Sequence, residues 1–195
     1  MEDRRLILAG IAALIATPAF AQAQQGAGAA LTDEDNQYIK RMMPIGSLAL
    51  ATSRVAVQKA SDANVKEFAR FEVAEQETVA DVLKSIQNPG TPNGEVRPPS
   101  DADVRQNLDQ QAQASLQKLQ SAQSGTDFDR EYLRTQMDGH TALLKIQEDY
   151  LKSGKNPSLI NTAKLARGMI KEHLQLLADI QNKPELTTGA GSQRR

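Results

Sequence analysis

Apolar side chains recur at helical spacing along almost the whole chain from Asp33 onward, and no stretch alternates as a half-buried strand would. The first predicted helix covers Asp35 to Ala60. Its inner stripe is Ile39, Met42, Met43, Gly46, Ala49, Ser53, Ala56 and Ala60, small enough to let a neighbouring helix approach closely. Pro44 lies within it, which predicts a kink or a short preceding turn. Ser61-Asp62 is placed to cap a second helix over 62–87, with Val65, Phe68, Glu72, Gln76, Val79, Leu83 and Ile86 on one face. Residues 88–100 then hold four prolines and two glycines, a composition that breaks a helix and suits a long crossover.

Ser100, with Asp103 three residues on, predicts a further helix with a narrow stripe of Val104, Leu108, Ala112, Leu116 and Leu119. Its glutamines read as solvated surface, and Ser124-Gly125 ends it. Thr126 with Asp129 opens a helix over 127–153, which Gly154 terminates. Its inward face carries Phe128, Tyr132, Gln136, His140, Leu143 and Tyr150. Asn156-Pro157 caps the last helix, 157–182, which turns Leu159, Ala166, Met169, Ile170, His173, Leu176, Leu177 and Ile180 inward. Residues 183–195 read as a disordered tail. Four long helices plus an additional one after a long crossover predict an all-α, ferritin-like four-helix bundle.

Residues 1–21 change the picture of where this bundle works. Arg4 and Arg5 precede an apolar run from Leu6 to Ala16, Pro18 breaks it, and Ala19-Phe20-Ala21 supplies a small-x-small cleavage pattern. The run is shorter than the ~20 apolar residues a spanning helix needs. These features predict a signal peptide, then a flexible leader over 22–34, and a mature chain in the periplasm or outside the cell. No cysteine is present, so a lipoprotein anchor is excluded. Net charge is −1, and removing residues 1–21 takes away two acids and two bases, leaving it unchanged. That balance argues against nucleic acid and against a polybasic membrane patch. The mature chain has no predicted transmembrane span; a protein partner or a homo-oligomer remains open.

The candidate chemistry lies in five polar side chains set in the apolar stripes: Glu72, Gln76, Gln136, His140 and His173. The two histidines are the only ones in the chain. With the last two helices turning near Gly154, Gln136 comes level with His173 and His140 with Met169. The histidines then differ in height by roughly 6 Å, one helical turn. With the first hairpin turning near Ser61, Glu72 comes level with Ala51 and Gln76 with Ser47. All five therefore fall near one layer.

Buried polar groups cost stability unless paired. The first reading is a hydrogen-bonded network, Glu72 bonded to one or both histidines and the glutamines satisfying the rest, in a non-catalytic binding, structural or stress-associated protein with no cofactor. The second is a mononuclear metal-binding or metal-dependent redox protein, with a single divalent ion (zinc, iron or manganese) held by Glu72, His140 and His173, and Gln76 and Gln136 bonded to the ligands. A ferritin-type dinuclear centre needs a Glu three residues before each histidine, and here those positions are Met137 and Ile170. No phosphate loop, nucleophile elbow or His-Glu-x-x-His motif occurs.

The blocks Lys66-Glu-Phe-Ala69, Phe128-Asp-Arg-Glu-Tyr-Leu133 followed by Gly139-His140, and Glu172-His173-Leu174 resemble a known family. It is the bacterial secreted family catalogued as domain of unknown function 4142, often labelled as outer membrane proteins. The resemblance covers residues 35–182 and implies a ferritin-like fold and export, but no reaction. The family usually carries Asp-His where this chain has Glu75-Gln76, and a Glu where it has Ala49. Glu72 stands at a position where the family tends to have Met. By that comparison two polar ligands are missing and one is gained.

Overall fold

The computed structural model describes residues 30–90, 94–183 and 186. The expected signal peptide and most of the expected leader lie outside these residues, as does most of the expected tail. Among the described residues there are six helices and no strand: α1 Asp33–Lys59, α2 Ala63–Gln87, α3 Asp101–Gln106, α4 Gln110–Ser121, α5 Thr126–Ser153 and α6 Pro157–Gln181. Helices α1 and α2 form one hairpin and α5 and α6 the other; α1 packs on α5, and α3 and α4 lie against α1. The chain is thus an all-α helical bundle.

Local chemistry accounts for the boundaries. Helix α1 starts two residues earlier than expected because Thr32 and Asp35 form a reciprocal capping box. It then runs unbroken through Pro44, with no preceding turn. Asp62 caps α2 through Asn64 N and Val65 N. The single helix expected after Ser100 is two. The Asp109 side chain accepts from Ala112 N, starting α4 afresh, and Asn107 Nδ2 donates to Ser47 Oγ of α1 at 3.1 Å. Short polar side chains that bond locally compete in this way with a continuous helix. The α4 glutamines are exposed, as the narrow stripe implied, while Leu116 and Ala112 pack on Leu48, Ala51 and Val55 of α1.

Asp129 does not open α5. That helix begins after Gly125 with no side-chain cap. Asp129 is instead fully buried and accepts from Ser61 N at 3.0 Å, Asp62 N at 2.9 Å and Ser61 Oγ. One carboxylate of the second hairpin thereby holds the turn of the first. Gly154 ends α5 at a negative φ, so left-handed geometry does not explain it. A Cβ there would sit 2.5 Å from the Tyr150 ring. Arg54 fixes the crossover, donating to Asp101 Oδ1 at 2.6 Å, Glu77 Oε1 at 2.8 Å and Pro99 O at 3.1 Å. Beyond α6, Leu186 is buried and its carbonyl accepts from Arg130 Nε at 2.6 Å.

Beside the small cluster under α4, the core is in two main parts. One end is built on Phe68, Leu119, Phe128, Tyr132, Leu133 and Leu177. The other is built on Tyr38, Met42, Leu83, Leu143, Leu159 and Ile170. Along α2, α5 and α6 the switch from one cluster to the other falls at Glu72–Gln76, Gln136–His140 and His173 respectively. Leu176, expected inward, is exposed, because Leu177 takes the inward position.

Candidate functional site

Glu72, Gln76, Gln136, His140 and His173 are all buried, and Glu72 is wholly inaccessible. Each is held by the helix that carries it. Gln76, one turn beyond Glu72, donates from Nε2 to Glu72 Oε1 at 3.0 Å, the pairing that spacing allows on one helix face. That leaves Glu72 Oε2 pointing at the imidazoles. It lies 3.3 Å from His140 Nε2 and 3.1 Å from His173 Nδ1. The two ring nitrogens are 3.0 Å apart.

The histidines meet although their Cα atoms were expected one turn apart in height. Side chains on a helix lean toward its N-terminus. In an antiparallel pair the His140 ring therefore leans toward the level of His173, and the His173 ring toward the level of His140. The leaning is visible in the bond from His140 Nδ1 to the carbonyl of Gln136, one turn back, at 2.8 Å. A carbonyl only accepts, so Nδ1 carries the hydrogen, and in the neutral ring the Nε2 lone pair faces the centre. Phe68 closes the site on one side, its ring 5.2 Å from that of His173 and 6.2 Å from that of His140.

Gln136 behaves differently from the other four. It touches His140 through its backbone. Its side-chain Nε2 donates to Thr52 Oγ1 at 2.9 Å and to Ala49 O and Ser53 Oγ at 3.2 Å, all on α1. Ser53 Oγ also bonds the Tyr132 hydroxyl at 2.8 Å. Burial pushes the Tyr132 phenol well up, the Glu72 charge adds to it, and the phenol stays protonated.

Glu75 is a site residue that the helical pattern missed. Its Oε2 lies 2.8 Å from His173 Nε2, while its side chain remains about one-third exposed. It sits outside the apolar stripe of α2, so the helical period does not single it out. The available signal was its place three residues from Glu72, one turn on and at the rim of the same face.

Burial penalises the Glu72 carboxylate, but the two imidazoles outweigh that and hold it down at about 2. Burial likewise opposes charge on His173, and Glu72 and Glu75 overcome it, raising the imidazole to about 9. Neither Glu72 Oε2 nor Glu75 Oε2 is aligned for a hydrogen bond, although both are shielded from solvent. The carboxylate and two inward ring nitrogens thus concentrate lone pairs at one point, and that arrangement calls for a positive centre: a proton or a metal ion.

The geometry fits a metal ion. Glu72, His140 and His173 each offer one donor atom, mutually within 4.8 Å. Donors around a four-coordinate ion with bonds of ~2.0–2.1 Å stand about 3.3 Å apart, and the three separations here are 3.0, 3.1 and 3.3 Å. No helix among the described residues is long and apolar enough to cross a membrane. No curated protein and no solved structure matches the chain. The model of the family described as a domain of unknown function, DUF4142, matches residues 20–180, and the chain belongs to that family.

Proposed function

We propose that this chain is an exported helical-bundle protein that holds one divalent transition-metal ion between Glu72, His140 and His173. The observation that carries the reading is the Glu72 carboxylate oxygen, buried and without a hydrogen bond, set within 3.3 Å of two imidazole nitrogens. Two imidazoles and one carboxylate suit zinc, iron or manganese, and a bound ion of this class supplies a Lewis-acid or redox centre with a coordination position left open. The protein's part is positioning. Gln76 occupies Glu72 Oε1 and leaves Oε2 for the ion. The Gln136 carbonyl holds the His140 ring with Nε2 inward. Outer partners of this kind fix ligand orientation and are worth roughly 10–100-fold in metal affinity.

A second reading also has an observation in its favour. His173 stands between two carboxylates, Nδ1 3.1 Å from Glu72 Oε2 and Nε2 2.8 Å from Glu75 Oε2; as an imidazolium it supplies the positive centre, and the layer is then a structural network without metal. Metal analysis of untagged protein, equilibrated with zinc, iron(II) and manganese in turn, separates the two. One ion per chain, lost in His140→Ala and in His173→Ala, supports the metal site; no ion in the wild type, with both variants unstable, supports the network. Export rests on the composition of residues 1–21. The intact mass of secreted protein then starts at Gln22, or at Gln24 if cleavage follows Ala23. A full-length mass in the membrane fraction refutes it.

A further inference from the structure

Beside the polar layer the bundle leaves a narrow cavity with free space of about 40 Å³, walled by α1, α2, α5 and α6 and covered by Pro99 of the crossover and Asn107 at the end of α3. Three of the chain's five methionines, Met42, Met43 and Met169, line it with Ala80, Leu83 and Ala166. Thioether side chains are flexible and polarisable, and adapt to small apolar guests. The side-chain amide nitrogens on the wall are already engaged. Gln147 accepts from the Tyr38 hydroxyl at 2.5 Å and donates to Met42 Sδ at 3.4 Å, and Asn107 donates to Ser47 Oγ at 3.1 Å. Gln76 donates to Glu72. A cavity lined mainly by methionine and aliphatic side chains gives water few partners, and apolar cavities of this sort stay dry and take up xenon or small hydrocarbons.

Gln76 belongs both to this wall and to the buried site, as the bond partner of Glu72. The packing makes room for it there: a Cβ on Gly46 would lie 2.9 Å from Gln76 Oε1. A guest in the cavity is therefore one side chain away from Glu72. The space suits a guest of roughly two or three heavy atoms and is far below the ~300 Å³ of an ordinary organic-ligand pocket.

We propose that this methionine-lined cavity is a binding site for a small uncharged molecule of diatomic size, an antechamber to the Glu72–His140–His173 site. The binding rests on the cavity alone; its service to the site rests on the metal reading above. Xenon is the probe, used on metal-free protein labelled with carbon-13 at the methionine methyls. Saturable shifts are expected at Met42, Met43 and Met169. Met137, which packs against the opposite core cluster, is the internal control and stays put. Two filling variants, Ala166→Leu and Ala80→Leu, should abolish the three shifts while the Met137 signal persists and reports the fold. Absent shifts, equal shifts at all four methyls, or shifts that survive in both variants overturn the proposal. Metal content measured on the same preparation keeps the readings apart: xenon shifts in a chain that binds no metal uphold the cavity and remove only the metal reading.

Discussion

Removing Glu72 from the metal-free protein takes away the carboxylate on which Gln76, His140 and His173 converge. Glu72→Ala leaves Gln76 Nε2 without its acceptor and removes one of the two carboxylates beside His173. His173 is raised from 6.5 to about 9 by Glu72 and Glu75 together. At about 1.4 kcal/mol per unit, their joint interaction with the imidazolium is on the order of 3 kcal/mol. Loss of the Glu72 share, the orphaned amide and the small void together give an expected cost of about 3–5 kcal/mol, the range for breaking a buried charge pair. Glu72→Gln keeps an acceptor for Gln76 and most of the volume, so about half that cost is expected. Urea unfolding with an unchanged m-value measures both.

The pH dependence carries the sharper test. A raised histidine stabilises fully below its unfolded value of 6.5 and loses that contribution as pH rises through about 9. A depressed carboxylate stabilises above its unfolded value of 4.5 and loses that contribution as pH falls toward about 2. The gap between wild type and Glu72→Ala is therefore widest between pH 4.5 and 6.5 and narrows by pH 10. A gap below ~1 kcal/mol, the scale of exposed pairs, or one that does not change between pH 6 and pH 10, refutes the reasoning.

Two other outcomes follow from particular groups. Asp129→Ala strips the acceptor from two backbone N–H groups and one hydroxyl at the α1–α2 turn, and should cost about 3 kcal/mol in urea unfolding; a loss under ~1 kcal/mol contradicts that anchor. In titrations with zinc, the ion must displace the His173 proton below about 9. Apparent affinity should then rise roughly tenfold per pH unit between neutrality and that point and flatten above it; a flat profile across the range excludes His173 as a proton-releasing ligand.

Much of this architecture was legible in the sequence because it depends on period and caps. The stripes through Phe68, Tyr132 and Ile170 set the helices and their inward faces, and Asp62 and Asn156 fixed two of the starts. The level of the polar layer followed from where the hairpins turn. Features that depend on long-range partners were not legible. Asp129 has the spacing of a local cap but bonds a turn 68 residues away in sequence. Asn107 and Asp109 split a helix whose apolar stripe runs straight through them. The height of Gln136 in the bundle groups it with the histidines, but its amide bonds three groups of α1 that no periodicity connects to it. Glu75 was hidden for the opposite reason, since a carboxylate at the rim of a stripe reads as surface until its partner is located.

The central claim is that the buried triad holds one metal ion, and a crystal of the metal-loaded protein with data collected at the metal's absorption edge tests it most directly. The account predicts a single anomalous peak per chain, ~2.0–2.2 Å from Glu72 Oε2, His140 Nε2 and His173 Nδ1. A peak bound elsewhere, or none between these three side chains after loading with zinc, iron(II) and manganese in turn, contradicts it.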